Sequence, residues 1–201
     1  SSVHKYDIAT NTWLSCADLP VPTCRFAAVT WGGRIYLFGG LAGSDDRNCT
    51  NTAAVYVFDP VANTWARLTD MPTARHGHSA VLVNSKILVV GGYTQGPVGL
   101  VEEYDPAQDT WSTKADMPTA RGFFGLVNLR DQVYALAGRV KDDAAPVEQY
   151  DPIRNLWTQL EPLPVPRQRF GIAAIHDTVY LIGGERNPKS MLVGELRQWK
   201  K

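Results

Sequence analysis

The chain has 201 residues, and its twenty Lys and Arg residues balance twenty Asp and Glu residues. No global field therefore favours a nucleic acid or an anionic membrane surface. The longest apolar runs, such as KILVVGG at 86–92, fall far short of the roughly 18 residues that a membrane-spanning helix needs. The expectation is one soluble domain over 1–201, cytoplasmic rather than secreted, with no nucleic-acid or membrane partner. Three cysteines, Cys16, Cys24 and Cys49, are an odd number that no closed disulfide framework uses up. Asn48-Cys49-Thr50 fits the glycosylation acceptor pattern, a three-residue match too common to weigh much.

The opening SSVHKYD reads as the interior of a structural element rather than as a leader, so further sequence upstream is expected. VHKYDIATNTW at 3–13 supplies the outer two strands of a unit whose inner strands do not precede it. LAGSDDRNCTNTAA at 41–54 is a polar, Gly-containing segment between two strands, where extra length costs little closure entropy. HSAVLVN at 78–84 and KILVVGG at 86–92 are short, rich in β-branched residues and bounded by polar residues or glycine, the signature of buried inner strands. GLVEEYD at 99–105 alternates apolar and polar residues, as expected where one face is packed and the other partly wet. In DPAQDTW at 105–111 the Asp can accept from the backbone two residues on and Pro presets φ, so the chain reverses before a short strand carrying Trp. VEQYDPIRNLW at 147–157 then repeats VEEYDPAQDTW at 101–111. No segment has a ten-residue helical pattern, and thirteen prolines with seventeen glycines punctuate the chain at strand-like intervals. The class is all-β.

Landmarks recur together. Trp13, Trp65, Trp111 and Trp157 are spaced by 52, 46 and 46 residues. Gly39-Gly40, Gly91-Gly92, Ala137-Gly138 and Gly183-Gly184 keep the same step, as do Tyr6-Asp7, Phe58-Asp59, Tyr104-Asp105 and Tyr150-Asp151. One six-residue insertion within 41–54 accounts for the longer first interval. The units run over approximately 1–15 (partial), 16–66, 67–112, 113–158 and 159–201. Four antiparallel strands per unit, a period in the upper forties, a diglycine after the second strand and a Trp on the fourth resemble the kelch repeat. The resemblance implies a kelch-type β-propeller built from four repeats of four-stranded antiparallel blades. Ala137 in place of a glycine, and the lack of a clear Asp-Pro turn after residue 184, depart from the pattern. In this reading the Trp and Tyr residues pack between blades, with their N–H and O–H groups needing partners. The diglycines let inner strands crowd the axis with unusual backbone angles. For closure, the favoured expectation pairs 3–13 with the inner strands at 169–184 in a four-sheet ring. The rival is a piece of a larger ring, with LVGELRQW at 192–199 as the third strand of its own last blade.

Chemistry is sought where the repeats differ. His76 and His78 in RHGHSA lie two apart on a strand, as a metal pair would. His4 and His176 are the other histidines, no third ligand is signalled, and a strand histidine of the repeat is the ordinary reading. FGGLAGS at 38–44 lacks the Lys-Ser/Thr ending and the helix of a phosphate loop. Nothing in residue order points to a Ser-His-Asp arrangement. Neither metal nor cofactor is expected.

VPRQRFGIAAIHDTVYLIGG at 165–184 looks like a blade of the stress-sensing kelch adaptors that capture short acidic motifs for ubiquitin ligases. In that family the second Arg of an RxR pair, and an Arg directly after the diglycine, point into the pocket. The resemblance gives the first role to Arg25 and Arg169, each fourteen residues before its glycine pair, and the second to Arg139. Gly77 and Phe123 fill the first position in the other units, and Tyr93 the second. A guanidinium fork pairs two bonds with a carboxylate, and an aromatic neighbour can cover the ligand. The expected mouth is thus Arg25, Arg139, Arg169, Tyr93 and Phe123, binding a protein or peptide, with acidic segments favoured. Arg75, Arg121 and Arg167 share one position across units and read as framework. The alternative function is an enzyme of the kelch-propeller class, a carbohydrate-active oxidase or epimerase. The cysteine–tyrosine crosslink and histidine ligands of the oxidases do not map onto this chain.

Overall fold

A computed structural model describes residues 2–43, 48–141, 144–185 and 191–195, and the regular structure among them is all β. β1 (Val3–Asp7) and β2 (Thr12–Cys16) form a hairpin. The next sheet holds β3 (Thr23–Cys24), β4 (Ala27–Trp31), β5 (Arg34–Ala42), β6 (Thr50–Asp59) and β7 (Thr64–Leu68). Within it, β3 and β4 pair with successive stretches of β5. A four-stranded sheet follows from β8 (Ser79–Val83), β9 (Lys86–Val90), β10 (Val101–Asp105) and β11 (Thr110–Thr113). Another comprises β12 (Gly125–Leu129), β13 (Gln132–Leu136), β14 (Val147–Asp151) and β15 (Leu156–Leu160). The last described sheet has β16 (Gly171–Ile175), β17 (Thr178–Ile182) and β18 (Met191–Glu195). All pairings are antiparallel. The inner strands β4, β8, β12 and β16 stand side by side in that order, so the sheets are successive propeller blades.

The outer turns form as their sequence requires. Asp7, Asp59, Asp105 and Asp151 each accept from the backbone N–H two residues on, at 2.9 to 3.0 Å. Each turn then clamps the segment that enters its own blade. Asn63 accepts from Ala17 N–H at 2.8 Å while Trp65 Nε1 donates to the Ala17 carbonyl at 2.9 Å. Asp109 and Trp111 hold Thr69 in the same way, and Asn155 and Trp157 hold Ala115. Tyr104 and Tyr150 donate to the same Asp109 and Asn155 at 2.6 and 2.8 Å. The rings meanwhile face the preceding blade: Phe38 lies edge-on to Trp111 at 5.8 Å and to Tyr104 at 5.7 Å. One core cluster accordingly joins Phe38, Val55 and Met71 to Ile87, Val89 and Tyr104, and another joins Val83, Leu88 and Val90 to Val133, Tyr150 and Trp157.

The alternation of GLVEEYD predicts one packed and one partly wet face, and in β10 Glu103 and Asp105 are half-buried while Tyr104 on the opposite face is buried. That packed face also takes in a carboxylate, in β10 and again in β14. Glu102 and Glu148 are both buried, because Arg75 lies 2.6 Å from Glu102 and Arg121 lies 2.8 Å from Glu148. A buried carboxylate is tolerated only with such a partner. Ala137 keeps the diglycine geometry with φ +52, beside +52, +63 and +69 at Gly39, Gly91 and Gly183. The second position has φ of +100 to +107 in all four units, a region a side chain rarely enters, and glycine stands there each time.

The expected pairing of 3–13 with the last inner strands is also corrected. β17 pairs with β18 from Ile182↔Met191 to Thr178↔Glu195, and among the described residues β1 pairs with β2 alone. A strand a few residues downstream closes a far shorter loop than one at the other end of the chain. Of LVGELRQW, 192–195 belong to β18 and 196–199 lie outside the described residues. Within the 41–54 segment that carries the insertion, 44–47 lie outside them too.

Candidate functional site

Two strings of main-chain bonds tie the blades together at their inner ends, and the site grows from them. Gly40, Gly92 and Gly138 each donate to the carbonyl of the next blade's framework arginine, Arg75, Arg121 and Arg167, at 2.8 to 2.9 Å. Two residues further on, Gly77 N–H donates to Arg25 carbonyl, Phe123 N–H to Gly77 carbonyl, and Arg169 N–H to Phe123 carbonyl, at 2.8 to 3.0 Å. Arg25, Gly77, Phe123 and Arg169 all have φ between +54 and +63. The shared left-handed turn lets each entering chain reach its neighbour and directs this residue to the mouth.

The framework arginines behave as their repeated position predicts. Arg75, Arg121 and Arg167 are at most 1% exposed. Each donates to the carbonyl fourteen residues on, that of Val89, Ala135 or Leu181. Arg121 Nη2 is paired with Glu148 without hydrogen-bond alignment, and Glu148 Oε1 also accepts from Thr119 N–H and Oγ1 at 3.1 and 2.7 Å. Burial pushes the Arg121 pKa down to about 10, against the opposing pull of Glu148.

The mouth brings the five expected residues into one patch. Phe123 is its centre: the Arg169 guanidinium sits 4.6 Å and that of Arg25 5.9 Å from its ring centroid. Tyr93 lies 5.6 Å from Phe123, with the Arg139 guanidinium 6.0 Å from the Tyr93 ring. Arg25, Arg139 and Arg169 are exposed, and Phe123 and Tyr93 are half-buried. The patch has a vacated floor. A Cβ on Gly77 would meet the Phe123 ring at 2.8 Å, and one on Gly122 would meet the Tyr93 ring at 2.5 Å. Two missing side chains thus let two aromatic rings lie flat across the mouth. Burial pushes the Tyr93 hydroxyl pKa up, and the hydroxyl donates to the Arg139 carbonyl at 3.1 Å.

Four other residues belong to the mouth and were not singled out for it from sequence. His76 stacks on Tyr93 at 5.6 Å and its Nδ1 meets Asn51 Oδ1 at 2.7 Å, while Asn51 donates to the carbonyls of Tyr93 and Thr94. Burial, then nearby Arg25, lowers the His76 pKa. Glu185 bonds Arg169 Nη1 at 2.6 Å and accepts from Gln168 Nε2 at 2.9 Å. The signal for them lay in two aligned columns, Cys24, His76, Gly122, Gln168 before the left-handed residue and Leu41, Tyr93, Arg139, Glu185 after the glycine pair. These columns face each other across short bridges in every unit.

His76 and His78, two apart in the chain, take separate places. His76 joins the aromatic patch, whereas His78 is buried with Nε2 against the Phe38 carbonyl at 2.9 Å. Burial, then Arg75, pushes the His78 pKa down to about 3. Among the described residues no three of His, Cys, Asp and Glu converge as metal ligands would.

Four-stranded blades with a left-handed glycine after each second strand, joined at their inner ends and around a shared mouth, define a β-propeller of the kelch type. The profile of the KLHDC2/KLHL20/DRC7 Kelch-repeats domain matches residues 1–184, and the chain belongs to the kelch-repeat family. Among curated relatives it is 34% identical over 94 residues to beta-scruin of Limulus polyphemus, covering 46% of this chain and 10% of that protein. It is 36% identical over 91 residues to mouse Kelch-like protein 35 (45% and 15%), and 28% identical over 90 residues to human Kelch-like protein 15 (42% and 14%). The matched stretches thus span only a tenth to a seventh of those relatives. The solved structure of YjhT superposes with a TM-score of 0.73 at 20% identity, covering 86% of this chain and 63% of that one. No helix among the described residues is long and apolar enough to cross a membrane.

Proposed function

We propose that this chain is a binding module, without catalytic activity of its own, whose mouth captures a protein or peptide segment carrying Asp or Glu. The observation that carries the reading is the patch in which Arg25, Arg139 and Arg169 surround the Tyr93 and Phe123 rings. The rings hold the arginines over an apolar floor, which lowers the local dielectric and strengthens any carboxylate contact made there. Arg25 and Arg139 form no ion pair among the described residues, and a guanidinium fork can give two bonds to one carboxylate. The relatives named kelch-like support interaction through this fold in general.

Fluorescence anisotropy with labelled hexaglutamate, and hexaglutamine as the neutral control, tests the reading. Hexaglutamate binds preferentially, its affinity falls as salt rises, and R139A/R169A abolishes the preference. Equal binding of the two peptides, or an unaltered preference in the double variant, overturns it.

A further inference from the structure

The three mouth arginines are not equivalent. Among the described residues, Arg169 alone of the three is paired with a carboxylate, that of Glu185, at 2.6 Å on Nη1. The second oxygen of the same carboxylate accepts from Gln168 Nε2 at 2.9 Å. The backbone fixes this arrangement: Gln168 and Glu185 are bridge partners, with Glu185 N–H donating to the Gln168 carbonyl at 2.9 Å. The Gln168 amide is oriented as well. Its Oε1 is buried without a partner, and turning the amide round would set that oxygen against the Glu185 carboxylate. Beneath Arg169 lies the Phe123 ring at 4.6 Å. Arg169, Gln168 and Phe123 therefore make a subsite with two donors and an aromatic floor, holding one carboxylate through both of its oxygens.

We infer that Arg169 and Gln168 form the carboxylate subsite of the mouth and that Glu185 is its resident occupant, displaced when an acidic ligand binds. The inference rests on the proposed acidic-ligand reading and adds two residues to it, Gln168 as a second donor and Glu185 as the competitor. Displacement is cheap. Arg169 and Glu185 side chains are 42% and 49% exposed, and exposed pairs of this kind contribute little to stability. The glutamate leaves as an anion into water, with no proton transferred. Its effect is to restrain the affinity of the mouth and to favour ligands that offer a carboxylate able to bridge both donors.

The test is a double-mutant cycle on the whole chain, read by anisotropy with labelled hexaglutamate. E185Q removes the competing charge at constant shape, and the expected result is about three- to five-fold tighter binding, the factor set by a weak exposed pair. In an R169A background the same E185Q change should have no effect, because the subsite is gone. Q168A should weaken hexaglutamate binding relative to wild type. An E185Q gain that persists in R169A shows a general charge effect and overturns the inference, as does an E185Q variant with unchanged or weaker affinity. These outcomes leave the mouth reading intact if wild type still prefers hexaglutamate. If neither wild type nor E185Q distinguishes hexaglutamate from hexaglutamine, both readings fail. Binding that emerges only in E185Q supports the inference.

Discussion

The inner wall of the blades and the rim of the mouth each carry a set of arginines, and the two sets sit in opposite surroundings. Arg167 and Arg169 are only two residues apart, yet the first is 1% exposed with its fork on strand carbonyls and the second has a side chain 42% exposed over an aromatic ring. The buried set recurs at one position in three units, and its carbonyl partners fourteen residues on recur with it. The exposed set is broken by Gly77 and Phe123. Residues that meet the same demand in every blade hold the blades together, whereas residues that vary at one shared backbone position are free to meet something else.

The largest effect should come from breaking the buried set. R121A leaves Glu148, with no exposed surface of its own, as an uncompensated buried charge, so a loss of about 3 to 5 kcal/mol is expected in a urea titration. A loss below about 1 kcal/mol would show that water reaches the pair. The clamp tryptophans give a comparison of similar size. Trp157 is 9% exposed, and W157A should cost about 3 to 5 kcal/mol through the cavity it leaves. Trp13 holds the same place on the N-terminal hairpin but is 69% exposed, so W13A should stay within about 0.5 kcal/mol. Equal losses would mean that the tryptophan stabilises its own hairpin rather than the contact between blades.

Acid should act through the interior first. His78 is neutral in the folded protein with a pKa near 3, against 6.5 unperturbed, so below pH 6.5 the unfolded chain binds a proton that the folded one does not. Stability then falls with falling pH, by up to about 1.4 kcal/mol per unit, until the folded pKa is passed. Asp59, lowered by backbone N–H donors, and Asp105, lowered by Lys86, act in the same direction at lower pH. H78Q should flatten the slope between pH 6.5 and 4.5 in a series of urea midpoints. An unchanged slope would assign the acid sensitivity to His76 and the carboxylates instead. On the rim the effects on stability are smaller. G122A pushes a methyl into the Tyr93 ring, where the contact would be 2.5 Å. It should cost about 1 to 3 kcal/mol by overpacking and weaken hexaglutamate binding by tilting the aromatic floor. Intact binding would detach Tyr93 from the site. R139A should stay within about 0.5 kcal/mol.

The contrast also explains what could be read from the sequence. The Asp turns, the glycine at φ near +100 and the framework arginines were legible because each repeats one backbone or burial requirement at a fixed step. That Arg25, Tyr93, Phe123, Arg139 and Arg169 would lie close together followed from the family resemblance aligned on the glycine pairs, and that they bind a ligand is the proposal. Gln168 and Glu185 were not, because no other unit carries the same pair and a hydrogen bond between two variable columns leaves no period. The burial of Glu102 and Glu148 was not legible, because strand alternation carries no information about an arginine 27 residues upstream. Pairing at the last inner strands was misread for a different reason: β1 and β18 both suit β17 by pattern, and chain proximity decides between them.

The most direct measurement is hexaglutamate affinity in the R25A/R139A/R169A variant, taken on protein whose urea midpoint is determined alongside. Binding lost with the wild-type midpoint retained is the predicted result, since these guanidiniums face outward from the blades. Binding retained, or a midpoint that drops as far as that of R121A, would place the mouth arginines in the framework and contradict the account.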